Sequence, residues 1–208
     1  MAQQQPRSRS RRCCCCLFSI IWKLIISIVF IVALIFLVLF LILQPRSFKF
    51  SVKEAKLIQF NYTTNTNTLR YNLVLNFTAS NPNKKFNIYY DAMNGHVFYE
   101  GTRFASTDTI TGLNFRQYTK SMNPMSGVFS GQRVVVFDHD QVSKFESDEK
   151  KKIFHIDVKL NFTIRFRLGD YIFPYIKGNI KCGIDVPFGS NGTKLMNAFE
   201  PTTCEVNF

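Results

Sequence analysis

The sequence predicts an all-β antiparallel sandwich with one short helix, preceded by a single N-terminal transmembrane helix. Three observations carry this. Leu24–Leu43 is apolar at every position except Ser27. From Phe48 onward apolar and polar residues alternate with a period of two, the pattern of strands with one buried and one wet face. Turn-forming pairs then punctuate the alternating runs at strand-like spacing.

Residues 1–16 form a basic, Cys-rich tail. Its first twelve residues are rich in Gln, Arg and Ser without apolar periodicity, which reads as disordered. Cys13–Cys16 follow, and residues 17–43 are the span. The twenty residues of Leu24–Leu43 cover about 30 Å at helical rise, the thickness of a hydrocarbon core. Lys23 can snorkel to a headgroup. A cleaved signal peptide would carry a shorter apolar core of about 7–15 residues and a small-residue cleavage site. Here the run ends Leu-Ile-Leu-Gln-Pro-Arg, so a retained signal anchor is the better reading.

Residues 44–208 form the third unit, opened by a brief linker, Gln44–Ser47. Phe48, Phe50 and Val52 alternate with polar residues; so do Tyr71, Leu73, Leu75 and Phe77, and Val158 through Leu168. Asn81-Pro82-Asn83 breaks between strands, and Asn94-Gly95 reads as a type I′ hairpin turn. Gly169-Asp170, Gly178-Asn179 and Gly189-Ser190 supply further turn signals. Asp138–Lys152 is polar with Val142 and Phe145 three apart, which predicts a short capped helix. Twenty-two phenylalanines in the chain suffice to fill the core.

The formal net charge of +12 would suggest nucleic acid until it is located. Residues 1–49 carry seven Lys/Arg and no Asp/Glu, whereas residues 50–208 carry 19 against 14. The excess flanks the apolar run, where membrane topology places cations, so nucleic acid is not an expected partner. Positive-inside counting is nearly a draw between the two flanks. Four N-x-[ST] sequons, at Asn61, Asn76, Asn161 and Asn191, all lie beyond the span and tip the balance. Strand alternation puts Asn76 and Asn161 on wet faces. The expectation is a cytosolic N-terminus and an extracellular, N-glycosylated C-terminal domain.

Little points to catalysis. His96, His139 and His155 lack Cys/His partners at metal-ligand spacing, and the contiguous cysteines lack the spacing that converges on zinc. Asp138-His139-Asp140 fits a helix cap better than a ligand set. No G-x-S-x-G elbow, P-loop or dinucleotide fingerprint occurs. No enzyme, cofactor or metal site is expected.

The remaining cysteines divide by compartment. Cys182 and Cys204, on the oxidising side, are either a disulfide or two buried thiols. Cys13, Cys14, Cys15 and Cys16, on the reducing side beside arginines and the bilayer, are candidates for S-palmitoylation, with unmodified thiols as the alternative.

The basic tail, the juxtamembrane cysteines and the span lead into N-F-T-A-S-N-P-N-K-K-F-N-I-Y-Y-D (Asn76–Asp91), then V-F-Y-E-G-T-R-F-A (Val97–Ala105), F-R-L-G-D (Phe166–Asp170) and K-C-G-I-D-V-P (Lys181–Pro187). This combination resembles the plant harpin-induced-like, or non-race-specific-disease-resistance-like, membrane proteins, whose ectodomain is the type-2 late-embryogenesis-abundant domain. The resemblance implies a fibronectin-III/immunoglobulin-like sandwich. It also implies a plasma-membrane protein of defence or stress responses, acting without catalysis, with some members in wall contact or immune-signalling complexes. Within the block, Asn81, Pro82 and Asn83 suit a turn, and a direct ligand contact is the rival role.

The expected function is that of an interaction or signalling module between cell exterior and membrane. Its expected partners are the lipid bilayer, proteins at the plasma membrane or cell wall, and a second copy of the chain. An apolar-ligand or lipid-binding sandwich that protects or bridges membranes under stress is the alternative.

Overall fold

The computed structural model describes residues 10–43, 46–107, 110–111, 116–189 and 199–208. They fall into two compact units, Met1–Gln44 and Pro45–Phe208.

The first unit is one helix, α1 (Ser10–Leu43). Its stretch Phe18–Leu41 is long and apolar enough to cross a membrane. The helix starts ahead of the predicted boundary at residue 17 and runs back through Cys13–Cys16. A nucleated helix gains one backbone hydrogen bond for each residue added, and neither Gly nor Pro occurs between Ser10 and Cys16 to stop it.

The second unit is antiparallel β throughout. Its strands are β1 (Lys49–Thr63), β2 (Thr68–Ser80), β3 (Phe86–Tyr99), β4 (Thr102–Thr107), β5 (Ile110–Thr111), β6 (Arg116–Gln117), β7 (Met122–Val134), β8 (Ile153–Leu168), β9 (Tyr171–Ile172), β10 (Ile176–Pro187) and β11 (Thr202–Asn207), with α2 (His139–Lys151) between β7 and β8. The hydrogen-bonded order is β4-β3-β8-β10-β11-β1-β2-β7-β5, with β6 on β3 and β9 on β8. One layer is therefore β4-β3-β8-β10 and the other β1-β2-β7-β5. The last strand, β11, joins them by pairing with β10 on one side and β1 on the other. The result is a sandwich closed along one seam, hence barrel-like.

The alternating runs bury the expected faces. Phe50, Leu73, Leu75, Leu160 and Ile164 have no exposed surface, and their polar neighbours point outward. Aromatic rings fill much of the core. Phe60 lies 4.9–5.6 Å from the ring centroids of Tyr99, Phe104, Phe145 and Phe154, within the range where edge-to-face contacts add to area burial. The helix α2 starts on Asp138, whose side chain accepts from the Gln141 N–H while Gln141 reaches back to the Asp138 N–H. That capping box explains the Asp-rich start, and the helix buries Phe145 against the core.

Two turn expectations are corrected. Asn94-Gly95 is not a hairpin turn, because β3 runs straight through it to Tyr99. A Cβ on Gly95 would meet Phe129 Cζ at 2.8 Å, so the glycine lets the opposite sheet approach. Gly178 is likewise interior to β10, where a Cβ would lie 2.4 Å from the Asn207 carbonyl oxygen. The hairpin turn that follows β3 is Glu100-Gly101, both at positive φ (45° and 75°), the requirement of a type I′ turn.

Candidate functional site

Asn81 and Asn83 are only 1% and 2% exposed in the link between β2 and β3, and buried amides must find partners. The Asn81 Nδ2 donates to the carbonyls of Phe86 (2.8 Å) and Tyr118 (3.0 Å). Its Oδ1 accepts from the Asn83 backbone N–H (3.1 Å) and from Asn83 Nδ2 (3.0 Å). Asn83 in turn grips the incoming chain: its Oδ1 accepts from the Arg46 N–H (2.7 Å) and its Nδ2 donates to the Arg46 carbonyl (2.8 Å). Pro82 fixes φ and brings no N–H that would need a partner. Backbone bonds from Asn81 N–H to Ser121 O (2.9 Å) and from Lys120 N–H to Asn83 O (3.1 Å) add the β6–β7 turn. The tripeptide thus ties together the incoming segment, the start of β3 and the β6–β7 turn.

Gln117 supports this knot from below with no exposed surface. Its Nε2 donates to the carbonyls of Ala79 (2.8 Å) and Ser121 (3.2 Å), and its Oε1 accepts from the Tyr90 hydroxyl (2.9 Å). Burial pushes the Tyr90 hydroxyl well above its ordinary pKa.

Strand alternation turns Gln117 inward and Arg116 outward, where Arg116 joins a row of cations and rings. Its guanidinium sits 4.8 Å from the Tyr118 ring centroid and 6.0 Å from that of Tyr89. Arg165 lies 5.9 Å from Tyr89 and 4.9 Å from Tyr175, so rings and guanidiniums alternate along the row. A bulge at Asp91 shifts the β3–β8 register between Tyr90 and Ala92, and its carboxylate takes two bonds from Arg165. Arg167 donates to the Tyr89 hydroxyl (3.1 Å), to Asp170 (3.2 Å) and to the Gly169 carbonyl (2.7 Å). These contacts set the local electrostatics. The Arg167 hydrogen bond lowers the Tyr89 pKa, that bond raises Arg167, and the bond to Asp91 raises Arg165.

The structure separates the other sequence-predicted residues. Asn61 is exposed on β1. Asn76 is half-buried on β2, where its Nδ2 donates to Glu54 at 2.8 Å. Asn161 is exposed on β8 in the other layer, in register with Asn94 and Asn179. Asn191 lies outside the described residues. Cys182 on β10 and Cys204 on β11 are joined by a disulfide with Cα atoms 4.6 Å apart, which locks the strand that joins the two layers. Cys13–Cys16 lie in the first turns of α1. Sequence reasoning placed Arg165 and Arg167 on a wet face. It did not single out Arg116, Gln117 or Tyr89; Tyr89 alone had a signal, Tyr89-Tyr90-Asp91 within the block of resemblance.

The chain is 37% identical over 204 residues to NDR1/HIN1-like protein 10 of Arabidopsis thaliana, covering 97% of this chain and 88% of that one. It is 36% identical over 190 residues to NDR1/HIN1-like protein 3 of the same plant, covering 91% and 80%. No protein-family model matches it. A crystal structure of a protein from Archaeoglobus fulgidus aligns with 64% of this chain and 96% of that chain at 9% identity and a TM-score of 0.29, too low for any inference.

Proposed function

Since the chain belongs to the NDR1/HIN1-like family, we propose that it is a non-enzymatic, single-pass plasma-membrane protein of plant defence or stress responses. In this reading α1 spans the bilayer with the N-terminus cytosolic, and the sandwich is extracellular and acts as an interaction or signalling module. One observation carries the reading: the likeness to relatives covers 97% of the chain and so includes the apolar helix along with the sandwich. An oxidising location for residues 45–208 is supported by the Cys182–Cys204 pairing and by four sequons beyond the span. In the same reading Asn61, Asn76, Asn161 and Asn191 are glycan acceptors, and Cys13–Cys16 take lipid at the cytosolic surface. The ring-on-ring packing around Phe60 favours an interaction module over an internal lipid carrier, because those rings occupy the volume that an internal apolar ligand would need.

Proximity labelling from each terminus in intact plant cells tests the topology. An N-terminal tag marks cytosolic proteins and a C-terminal tag marks wall and surface proteins. Cytosolic labelling from the C-terminus overturns the scheme.

A further inference from the structure

We infer that the end of the sandwich where the chain enters is a bilayer-docking rim that binds the phosphate headgroups of anionic lipids. The inference rests on reading α1 as a membrane span. Arg46, bonded on both sides of its backbone to Asn83, follows Leu43 by only three positions. Three residues reach at most about 11 Å. However the two units are oriented, this end of the sandwich cannot lie far from a membrane that holds α1.

The composition of this end fits a lipid surface. Tyr118 (61% exposed), Met122 (74%), Tyr171 (63%) and Tyr175 (63%) present large side chains to solvent, and the largely exposed tyrosines among the described residues of the sandwich all lie here. Tyrosine is a headgroup-level residue, with an apolar ring and a polar tip. Cations surround these rings: Lys84, Lys85 and Lys120 are exposed in the connecting loops, and Arg116, Arg165 and Arg167 line the ring–guanidinium row. Asp91 and Asp170 offset two of those six charges, so the rim is net cationic and complements the phosphate of a lipid headgroup. The Nε of Arg116 is buried without a hydrogen-bond partner. The cationic strand ends lie at the level where the chain enters. Tyr90, which pairs with Ile164, packs its ring 6.2 Å from Phe48 near the point where the chain enters. The β8 strand continues four residues past Ile164 to Leu168, about 13 Å at strand rise, before turning at Gly169-Asp170. Rings and cations coincide at the end of the domain where the chain enters.

The test uses full-length protein in nanodiscs of phosphatidylcholine, with or without phosphatidylglycerol, carrying brominated acyl chains. The chain has a single tryptophan, Trp22, which lies within the span and reports insertion of α1. In a Trp22→Phe background, Tyr118→Trp and Tyr175→Trp are the two rim reporters. Val136→Trp, at an exposed site beyond the opposite end of β7, is the control reporter. Expected is strong quenching of Trp22 in the unsubstituted chain and at least twofold greater quenching of both rim reporters than of the control. Phosphatidylglycerol should enhance the rim quenching, and Lys84→Gln/Lys85→Gln/Lys120→Gln should abolish that enhancement. Quenched Trp22 with rim reporters no more quenched than the control overturns the rim and leaves the span. Unquenched Trp22 overturns both. Rim emission that shifts with added polygalacturonate while remaining insensitive to brominated lipid assigns the rim to an acidic polysaccharide and also overturns the proposal.

Discussion

Replacing Asn83 tests whether the buried tripeptide is a latch. Asn83→Ala removes three side-chain hydrogen bonds: two with the Arg46 backbone and one with Asn81 Oδ1. At about 1 kcal/mol net for each bond the loss is about 3 kcal/mol. Arg46 is exposed, so water can re-satisfy its two groups, and Asn81 Oδ1 keeps the Asn83 N–H. The expected cost is therefore about 2–3 kcal/mol, and at about 2–4 °C for each kcal/mol in a domain of this size the melting temperature falls by about 4–12 °C. Asn83→Asp separates hydrogen-bond chemistry from shape. The carboxylate can still accept from the Arg46 N–H, but the two donations of Nδ2 become oxygen–oxygen contacts, so at neutral pH it costs at least as much as alanine. The buried carboxyl has a folded pKa raised above its unfolded value. Its penalty is therefore absent below the unfolded pKa of about 3.9 and grows as pH rises through the folded one. Urea unfolding of the full-length protein in nanodiscs, followed by near-ultraviolet circular dichroism, reads both variants. An Asn83→Ala cost below about 0.5 kcal/mol, or an Asn83→Asp variant as stable as wild type at neutral pH, refutes the latch.

Reducing the Cys182–Cys204 bond, whose cysteines are 22 residues apart, costs about 3 kcal/mol on the chain-entropy argument. Unchanged urea midpoints with and without reductant, or free thiols at both positions in peptide mapping, count against it. Gly95→Ala forces a methyl group to 2.8 Å from Phe129 and 3.3 Å from Leu160, with an expected loss of about 1–3 kcal/mol. Gly101→Ala meets nothing within 4 Å and carries only the left-handed backbone penalty of about 1–2 kcal/mol; a Gly95→Ala loss below about 0.5 kcal/mol would sink the packing account of Gly95. The Glu54 pKa is lowered by its hydrogen bonds to Lys56 and then Asn76. A depressed folded pKa gives stability that is present above the ordinary carboxylate range and lost as pH falls through the folded value. Melting curves of Glu54→Gln and wild type should therefore differ in pH dependence only on the acid side, and parallel curves down to about pH 2, below the carboxylate range, would remove Glu54 from the acid response.

The strands were legible because period-two alternation is a direct print of a half-buried sheet, as in Tyr71–Phe77 and Val158–Ile164. Asp138 was legible as a cap because an aspartate before a polar run with apolar residues at helical spacing has few other uses. Glycine was not. One residue type serves tight turns and close packing alike, and nothing beside Asn94-Gly95 shows that Phe129 stands over it from the other layer. The turn at Glu100-Gly101 escaped because Glu100, at φ 45°, is not a residue type that signals positive φ. Asn81-Pro82-Asn83 stood out, but its grip on Arg46 depends on a contact 37 positions away in sequence. The row of rings and guanidiniums was hidden for the same reason, since Arg165 meets Asp91 across 74 positions of sequence.

Two bonds of different chemistry act near the start of β1. At its start, Asn83 holds Arg46 just ahead of the first ladder pair, Lys49 with Ser80. Along its flank, Phe50 pairs with Ala79 on one side and with Cys204 on the other, and Cys204 is bonded to Cys182 on β10. A load carried along the chain from α1 reaches the sandwich at Arg46, which follows Leu43 by three positions. Without Asn83 that load would fall on the end pair of the β1–β2 ladder, and strands peeled from one end separate one pair at a time. With Asn83 it is shared among β2, β3 and the β6–β7 turn before the ladder is stressed. Burial of two asparagines at a sandwich end is costly unless every donor and acceptor is used, and here each amide is matched to a backbone group or to the other amide. The tripeptide thus joins the segment at Arg46 to the start of β3 and the β6–β7 turn.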